Sequence, residues 1–257
     1  MVDLVNKIKA LKKEKNAIIL AHYYQVEDIQ NVADYVGDSL DLSKKAAKNN
    51  SDIIVFCGVH FMAETAKILS PTKKVILPDL DAGCSLANSC TPNIFREFIK
   101  KHPGHTVVTY INCSAEIKAL SDIVCTSSNA LRIIESIPKK NPIIFAPDRN
   151  LGKYIINQTG RDMLLWDGSC VAHEAFSIEK LIKLKEDNPD AILIAHPESE
   201  SHILQISSYV GSTSGLIKYV KKSTHNKFIV ATEVGILHKM REVVPDKLLI
   251  PAPSNED

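Results

Sequence analysis

The sequence shows no excess of either charge, no membrane-length apolar run and no paired-cysteine motif, and each absence narrows what the chain can be. Lys and Arg number 31 against 30 Asp and Glu, a net charge of +1. A chain so balanced lacks the basic footprint that general nucleic-acid or membrane-surface binding requires, and neither partner is expected. No apolar stretch reaches the roughly 18 residues of a membrane span, and no signal-peptide pattern opens the chain, so a cytoplasmic location is expected. Six cysteines, at 57, 84, 90, 113, 125 and 170, include no C-x-x-C pair and no compact disulfide spacing. In a reducing compartment they are buried thiols or metal ligands.

What is present is a core-forming composition, with 45% apolar residues in 257. Short β-branched runs alternate with helical patterns: Ala17–Ala21, Ile53–Cys57, Val75–Leu77, Val107–Ile111, Ile143–Ala146, Ala191–Ala195 and Phe228–Ala231. Unbroken apolar runs with helical interludes predict parallel strands covered on both faces, an α/β fold of βαβ units. Ahead of them, Leu4, Val5, Ile8 and Leu11 among Lys7, Lys9, Lys12, Lys13 and Lys15 predict an amphipathic helix with a solvated basic face.

The pattern occurs three times. An apolar run delivers His22, Asn112 or His196. A helical segment and a second short strand then end at Ser39, Ser127 or Thr213, respectively 17, 15 and 17 positions later. Helices predicted over Leu40–Lys48, Asn129–Ser136 and Gly215–Lys222 follow, and then another buried strand. Cys84 and Cys170 stand 86 positions apart, one repeat length, which predicts domains at 1–86, 87–172 and 173–257. The corresponding third position is 256, and the closing Pro-Ser-Asn-Glu-Asp carries no cysteine there.

In parallel sheets, ligands bind beyond the carboxyl ends of the strands. His22, Asn112 and His196 fall at such ends, with Tyr24, Tyr110 and Glu198 nearby, and polar groups at matching positions of three repeats predict one shared site. Ser39, Ser127 and Thr213 before helices are ordinary capping residues, yet three helix N-termini around one centre also make an anion site. Cys57, Cys113 and Cys125 lie in or beside apolar strands and read as core thiols. Cys84 and Cys170 lie among small and polar residues and read as loop ligands. Thiolates at equivalent corners could hold a four-iron cluster with one open iron, a Lewis acid for dehydratase chemistry, and zinc would accept the same ligands. A zinc or mononuclear-metal lyase and a non-catalytic anion-binding protein are the rival readings.

Many of these residues sit in motifs that resemble the quinolinate synthase family. They are H-Y-Y-Q at His22–Gln25, A-D-Y-V-G-D-S at Ala33–Ser39, G-V-H-F-M-A-E around His60, Y-I-N at Tyr110–Asn112 and C-T-S-S-N-A at Cys125–Ala130. Further along come F-A-P-D-R-N-L-G at Phe145–Gly152, H-P-E at His196–Glu198, Y-V-G-S-T at Tyr209–Thr213 and T-E-V-G at Thr232–Gly235. The resemblance spans essentially the whole chain. It implies three similar αβα domains in a pseudo-threefold arrangement and a [4Fe–4S] cluster held by one cysteine from each. It implies condensation of iminoaspartate with dihydroxyacetone phosphate to quinolinate, phosphate and water in NAD biosynthesis, the iminoaspartate coming from an aspartate-oxidising enzyme. Carried over residue by residue, the cluster ligands are Cys84 and Cys170, the third cysteine having no counterpart in this chain. The substrate-binding positions are His22, Ser39, Tyr110, Asn112, Ser127, His196, Glu198 and Thr213. Tyr24, Tyr110, His173 and Glu198 are then the candidates for proton transfer.

Overall fold

The computed structural model describes residues 2–255. Position 256, where a third loop cysteine would complete the repeat, lies outside the described residues. The chain divides into two compact units, Met1–Cys84 and Ser85–Asp257.

In the first unit, α1 (Val2–Glu14) leads into β1 (Ala17–His22), α2 (Glu27–Val32), β2 (Tyr35–Gly37), α3 (Ser39–Lys48), β3 (Ile53–Cys57), α4 (His60–Leu69) and β4 (Lys74–Ile76). The second unit opens with α5 (Ser85–Asn88), α6 (Pro92–Lys101), β5 (Thr106–Tyr110), α7 (Ala115–Ala119), β6 (Ile123–Cys125), α8 (Ala130–Ser136), β7 (Ile143–Ala146), α9 (Arg149–Thr159) and β8 (Leu164–Leu165). It continues through α10 (Val171–Glu174), α11 (Ile178–Asp187), β9 (Ile192–Ala195), α12 (Ser201–Gln205), β10 (Tyr209–Val210), α13 (Thr213–Lys222), β11 (Lys227–Ala231), α14 (Ile236–Val243) and β12 (Leu248–Pro251).

Three four-stranded parallel sheets result, ordered β2-β1-β3-β4, β6-β5-β7-β8 and β10-β9-β11-β12. The expected α/β fold with three similar αβα units is therefore what the chain forms. The central strand β7 is buried end to end and the others over most of their length, with side chains that meet helices on both sides. Phe95, Val107, Cys113, Ile117 and Ile144 make one such core, and Leu181, Leu193, Ile203 and Ile229 another.

The repetition extends to single hydrogen bonds. Asp34 N–H donates to the Ile19 carbonyl, Asp122 to Val107 and Ser208 to Leu193, the same 15-residue step each time. In the first two copies the carboxylate returns the bond, Ile19 N–H and Val107 N–H each donating to an Asp oxygen at 2.8 Å. The third copy has Ser208 in that place and keeps only the backbone half.

Two expectations need correction. In α1, Ile8 packs against the Ile19, Ala21 and Cys57 core, but Leu4 and Leu11 are 61% and 54% exposed, so the apolar stripe is only half used. Ser39 and Thr213 also begin their helices rather than cap them. The caps are one residue earlier: Asp38 accepts from Asp41 N–H and Ser212 from Gly215 N–H. Ser127 stands two residues ahead of Asn129, the residue at the head of α8.

Candidate active site

In the second unit the carboxyl ends of β5 and β9 bring together side chains from both copies that the unit contains. Tyr110 is the last residue of β5, and Glu198 follows β9 by three residues; both are buried, at 5% and 2% exposed. The Tyr110 phenol donates to Glu198 Oε1 at 2.5 Å, across 88 residues of sequence. His173 Nδ1 lies 3.2 Å from the other oxygen, Oε2, and His196 Nδ1 lies 3.7 Å from Oε1. Burial alone would raise the Glu198 carboxyl. The charge and hydrogen bond of His173, then His196 and the Tyr110 phenol, reverse that and hold it at about 2.

Each imidazole is fixed by a second bond. His173 Nε2 is 3.0 Å from Thr232 Oγ1, and Thr232 is buried just past β11. His196 Nδ1 accepts from Glu198 N–H at 3.4 Å, which turns Nε2 towards Ser127 Oγ at 3.3 Å. The two rings lie 4.9 Å apart between centroids.

Cys170 stands at the head of α10, and its Sγ is 3.1 Å from His173 Nδ1. Ligand atoms of Cys170, His173 and Glu198 all lie within 4.8 Å of one another, a set able to hold a metal ion. The loop bearing Cys170 is tied to the start of α9. Asp148 and Gly168 form a parallel bridge, and Arg149 N–H donates to Gly168 O at 2.8 Å. Arg149 and Asn150 both donate to Glu174 Oε1, while Ser169 donates to Oε2. A side chain at Gly168 would meet Ser89 Oγ at 2.3 Å and the Pro147 carbonyl oxygen at 2.5 Å, so this approach of backbone to backbone needs glycine.

Of the expected site residues in this unit, Tyr110, Ser127, Cys170, His173, His196 and Glu198 are thus joined in one network. Asn112 stands just past β5 with its Oδ1 buried and unpaired among the described residues. Thr213, buried, opens α13. His22, Tyr24, Ser39 and Cys84 belong to the first unit. There, Tyr24 N–H donates to His22 Nδ1 at 3.2 Å, the same turn as Glu198 on His196, and the His22 and Tyr24 rings meet edge-on at 4.5 Å.

Three residues at this end of the second unit were not singled out from the sequence. Asp148 is wholly buried, its Oδ1 caps α9 through Leu151 N–H, and its Oδ2 is unpaired among the described residues. Burial, and then the charge of Glu198, push its carboxyl up. Thr232 and Glu233 lie in the T-E-V-G segment; burial raises the Glu233 carboxyl although its Oε2 accepts from Gly235 N–H. Their signal was present only as motif letters, since nothing in P-D-R-N or T-E-V-G distinguishes a site residue from a helix cap.

Cys57, Cys113 and Cys125 are buried, as expected, and Cys84 and Cys170 are partly exposed; Cys90, which the sequence did not place, is buried too. Burial, aided by Cys113, pushes the Cys90 thiol up to about 12, and Cys125 is raised further for the same reasons. No helix among the described residues is long and apolar enough to cross a membrane.

The family profile described as Quinolinate synthetase A protein matches residues 6–257. A quinolinate synthase of Nostoc punctiforme is 62% identical over 252 residues, which cover 98% of this chain and 78% of that protein. That of Microcystis aeruginosa is 61% identical with 98% and 79% covered, and that of Synechocystis sp. 59% identical with 99% and 80% covered. By profile and by relatives alike, this chain belongs to the quinolinate synthetase A family.

Proposed function

We propose that the chain is a quinolinate synthase that condenses iminoaspartate with dihydroxyacetone phosphate, releasing phosphate and water, and that it works with a [4Fe–4S] cluster. The buried Tyr110–Glu198–His173 constellation beside Cys170 carries this reading, because it pairs proton-transfer groups with a thiol suited to metal. The donor chemistry of the cysteines fits such a cluster at two corners. Cys84 and Cys170 are the partly exposed loop thiols, whereas the other four are buried, and burial pushes the Cys57, Cys90 and Cys125 thiols up and so holds them protonated. Cys84 and Cys170 would be anchors, and the third thiolate has no counterpart in residues 1–257. Such a cluster supplies an open iron that polarises a hydroxyl or carbonyl oxygen.

The chain's own groups then bind and move protons. Glu198, ionised and fixed at both oxygens, is the proton acceptor at Oε1 or Oε2. Tyr110, whose phenol is already shared with that carboxylate, passes a proton along a path closed to bulk water. His196 and Ser127 offer donors to a substrate carboxylate, and the first turn of α13 at Thr213 offers backbone N–H groups to an anion. His22, Tyr24 and Ser39 are assigned the corresponding binding roles from the first unit.

The test is quinolinate formation by anaerobically prepared, iron-reconstituted protein supplied with both substrates. Turnover should fall by about 100-fold or more in Glu198→Gln, the usual scale for a lost general base. Cys84→Ser and Cys170→Ser should lose iron while Cys57→Ser keeps it. Iron-loaded protein that makes no quinolinate, or that holds its iron equally well without Cys84, would overturn the proposal.

A further inference from the structure

We infer that Cys170, His173 and Glu198 form a mononuclear Zn²⁺ site with an open fourth position, and that zinc there excludes a cluster from Cys170. The second clause rests on the cluster reading above; the first does not.

The three donors come from different parts of the chain. Cys170 ends the bridged loop after β8, His173 lies on the turn of helix that follows it, and Glu198 follows β9. His173 Nδ1 faces Sγ at 3.1 Å and Oε2 at 3.2 Å at once. One N–H aimed at either acceptor is poorly aimed at the other, whereas a cation among the three engages all of them. Zinc binds N at about 2.0–2.1 Å, S at about 2.3 Å and O at about 2.0–2.2 Å, so tetrahedral donors stand about 3.3–3.6 Å apart. The site as found needs to open by only a few tenths of an ångström on its His173 edges. Thiolate, imidazole and carboxylate together suit zinc, and three protein ligands leave one position for water or a substrate oxygen.

The surrounding bonds orient the ligands as metal sites require. His173 Nε2 can donate to Thr232 Oγ1 at 3.0 Å, turning the Nδ1 lone pair inward. Glu198 keeps Oε2 for metal because Oε1 is taken by the Tyr110 phenol at 2.5 Å. His173, Glu198 and Thr232 are each no more than 2% exposed, so the site is dry on its protein side, and Cys170 is the partly exposed member.

The experiment is competition for Zn²⁺ between the chain, prepared metal-free under reducing conditions, and a chromophoric chelator, followed by iron and sulfide reconstitution with and without zinc. One zinc per chain is expected. Cys170→Ala and His173→Ala should abolish it, and Thr232→Val should weaken it by about 10–100-fold. His173→Asn serves if the alanine variant fails to fold. Cys84→Ser should lose iron but bind zinc normally, and His173→Ala should lose zinc but accept iron, so the two sites fail separately. Undiminished zinc binding in His173→Ala or His173→Asn would overturn the site. Full iron uptake by zinc-loaded protein would overturn the exclusion alone.

Discussion

The 2.5 Å bond from Tyr110 to Glu198 ties the second copy of the repeat to the third, and its strength can be measured without any assay of turnover. A hydroxyl bonded to a carboxylate at this distance is charge-assisted, worth about 1.5–3 kcal/mol, against about 0.5–1.5 kcal/mol for a neutral bond. Tyr110→Phe deletes the donor and keeps the ring. Glu198→Gln keeps the shape and an acceptor but removes the charge. In the native background Tyr110→Phe should therefore cost about 2 kcal/mol, and in protein already carrying Glu198→Gln about 1 kcal/mol, a coupling of about 1 kcal/mol or more. Trp166, the chain's single tryptophan, sits edge-on to Phe95 and Phe98 inside the same unit and reports its unfolding by fluorescence. Urea titration of the four proteins gives the cycle, and each kcal/mol corresponds to about 2–4 °C in a thermal scan. Distant sites add to within about 0.5 kcal/mol, so equal losses in both backgrounds would show that the phenol and carboxylate do not share a charged bond.

Gly168→Ala should displace the Cys170 loop, because the new methyl meets the Pro147 carbonyl oxygen and Ser89 Oγ well inside contact distance. A loss of about 1–3 kcal/mol with weaker metal retention is expected, and an unchanged melting curve would mean the backbone slides freely. Iodoacetamide at about pH 8, near the ordinary thiol range, should alkylate Cys84 and Cys170 first. It should spare Cys90, whose thiol is held up to about 12 by burial, and early mass-spectrometric labelling of Cys90 would contradict that. Ser212→Ala should cost about 1 kcal/mol by uncapping α13, and urea stability unchanged from the native protein would remove Ser212 as the cap.

Most strands were legible because burial on both faces leaves a residue pattern with no polar alternation. Ile53–Cys57 and Ile143–Ala146 match the structure residue for residue, and the other apolar runs differ by a single residue at one or both ends. Helix starts were less legible, since D-S at 38–39 and S-T at 212–213 each offer two capping side chains in succession. Only the φ/ψ of the chain decides between them, and it places Asp38 and Ser212 at the extended position. In α1 the sequence shows which residues are apolar but not which part of that face meets a sheet, so exposed Leu4 and Leu11 look the same as half-buried Ile8.

The site was legible where the repeat placed it and opaque where the copies have diverged. His22 and His196 occupy one backbone turn, each imidazole accepting from the N–H two residues on. The repeat dictates that turn, and hence the ring orientation, in both copies. The residue two positions on differs: Tyr24 lays a ring edge-on to His22, while Glu198 puts a carboxylate among Tyr110, His173 and His196. Spacing within the chain can reveal that the two positions are equivalent. It cannot reveal that Glu198, 88 residues from Tyr110, receives the phenol, because that contact depends on how one sheet's strand ends meet the next. The repeated geometry fixes where polar groups emerge, and the substitution at one position of an otherwise shared turn decides which copy carries the charge.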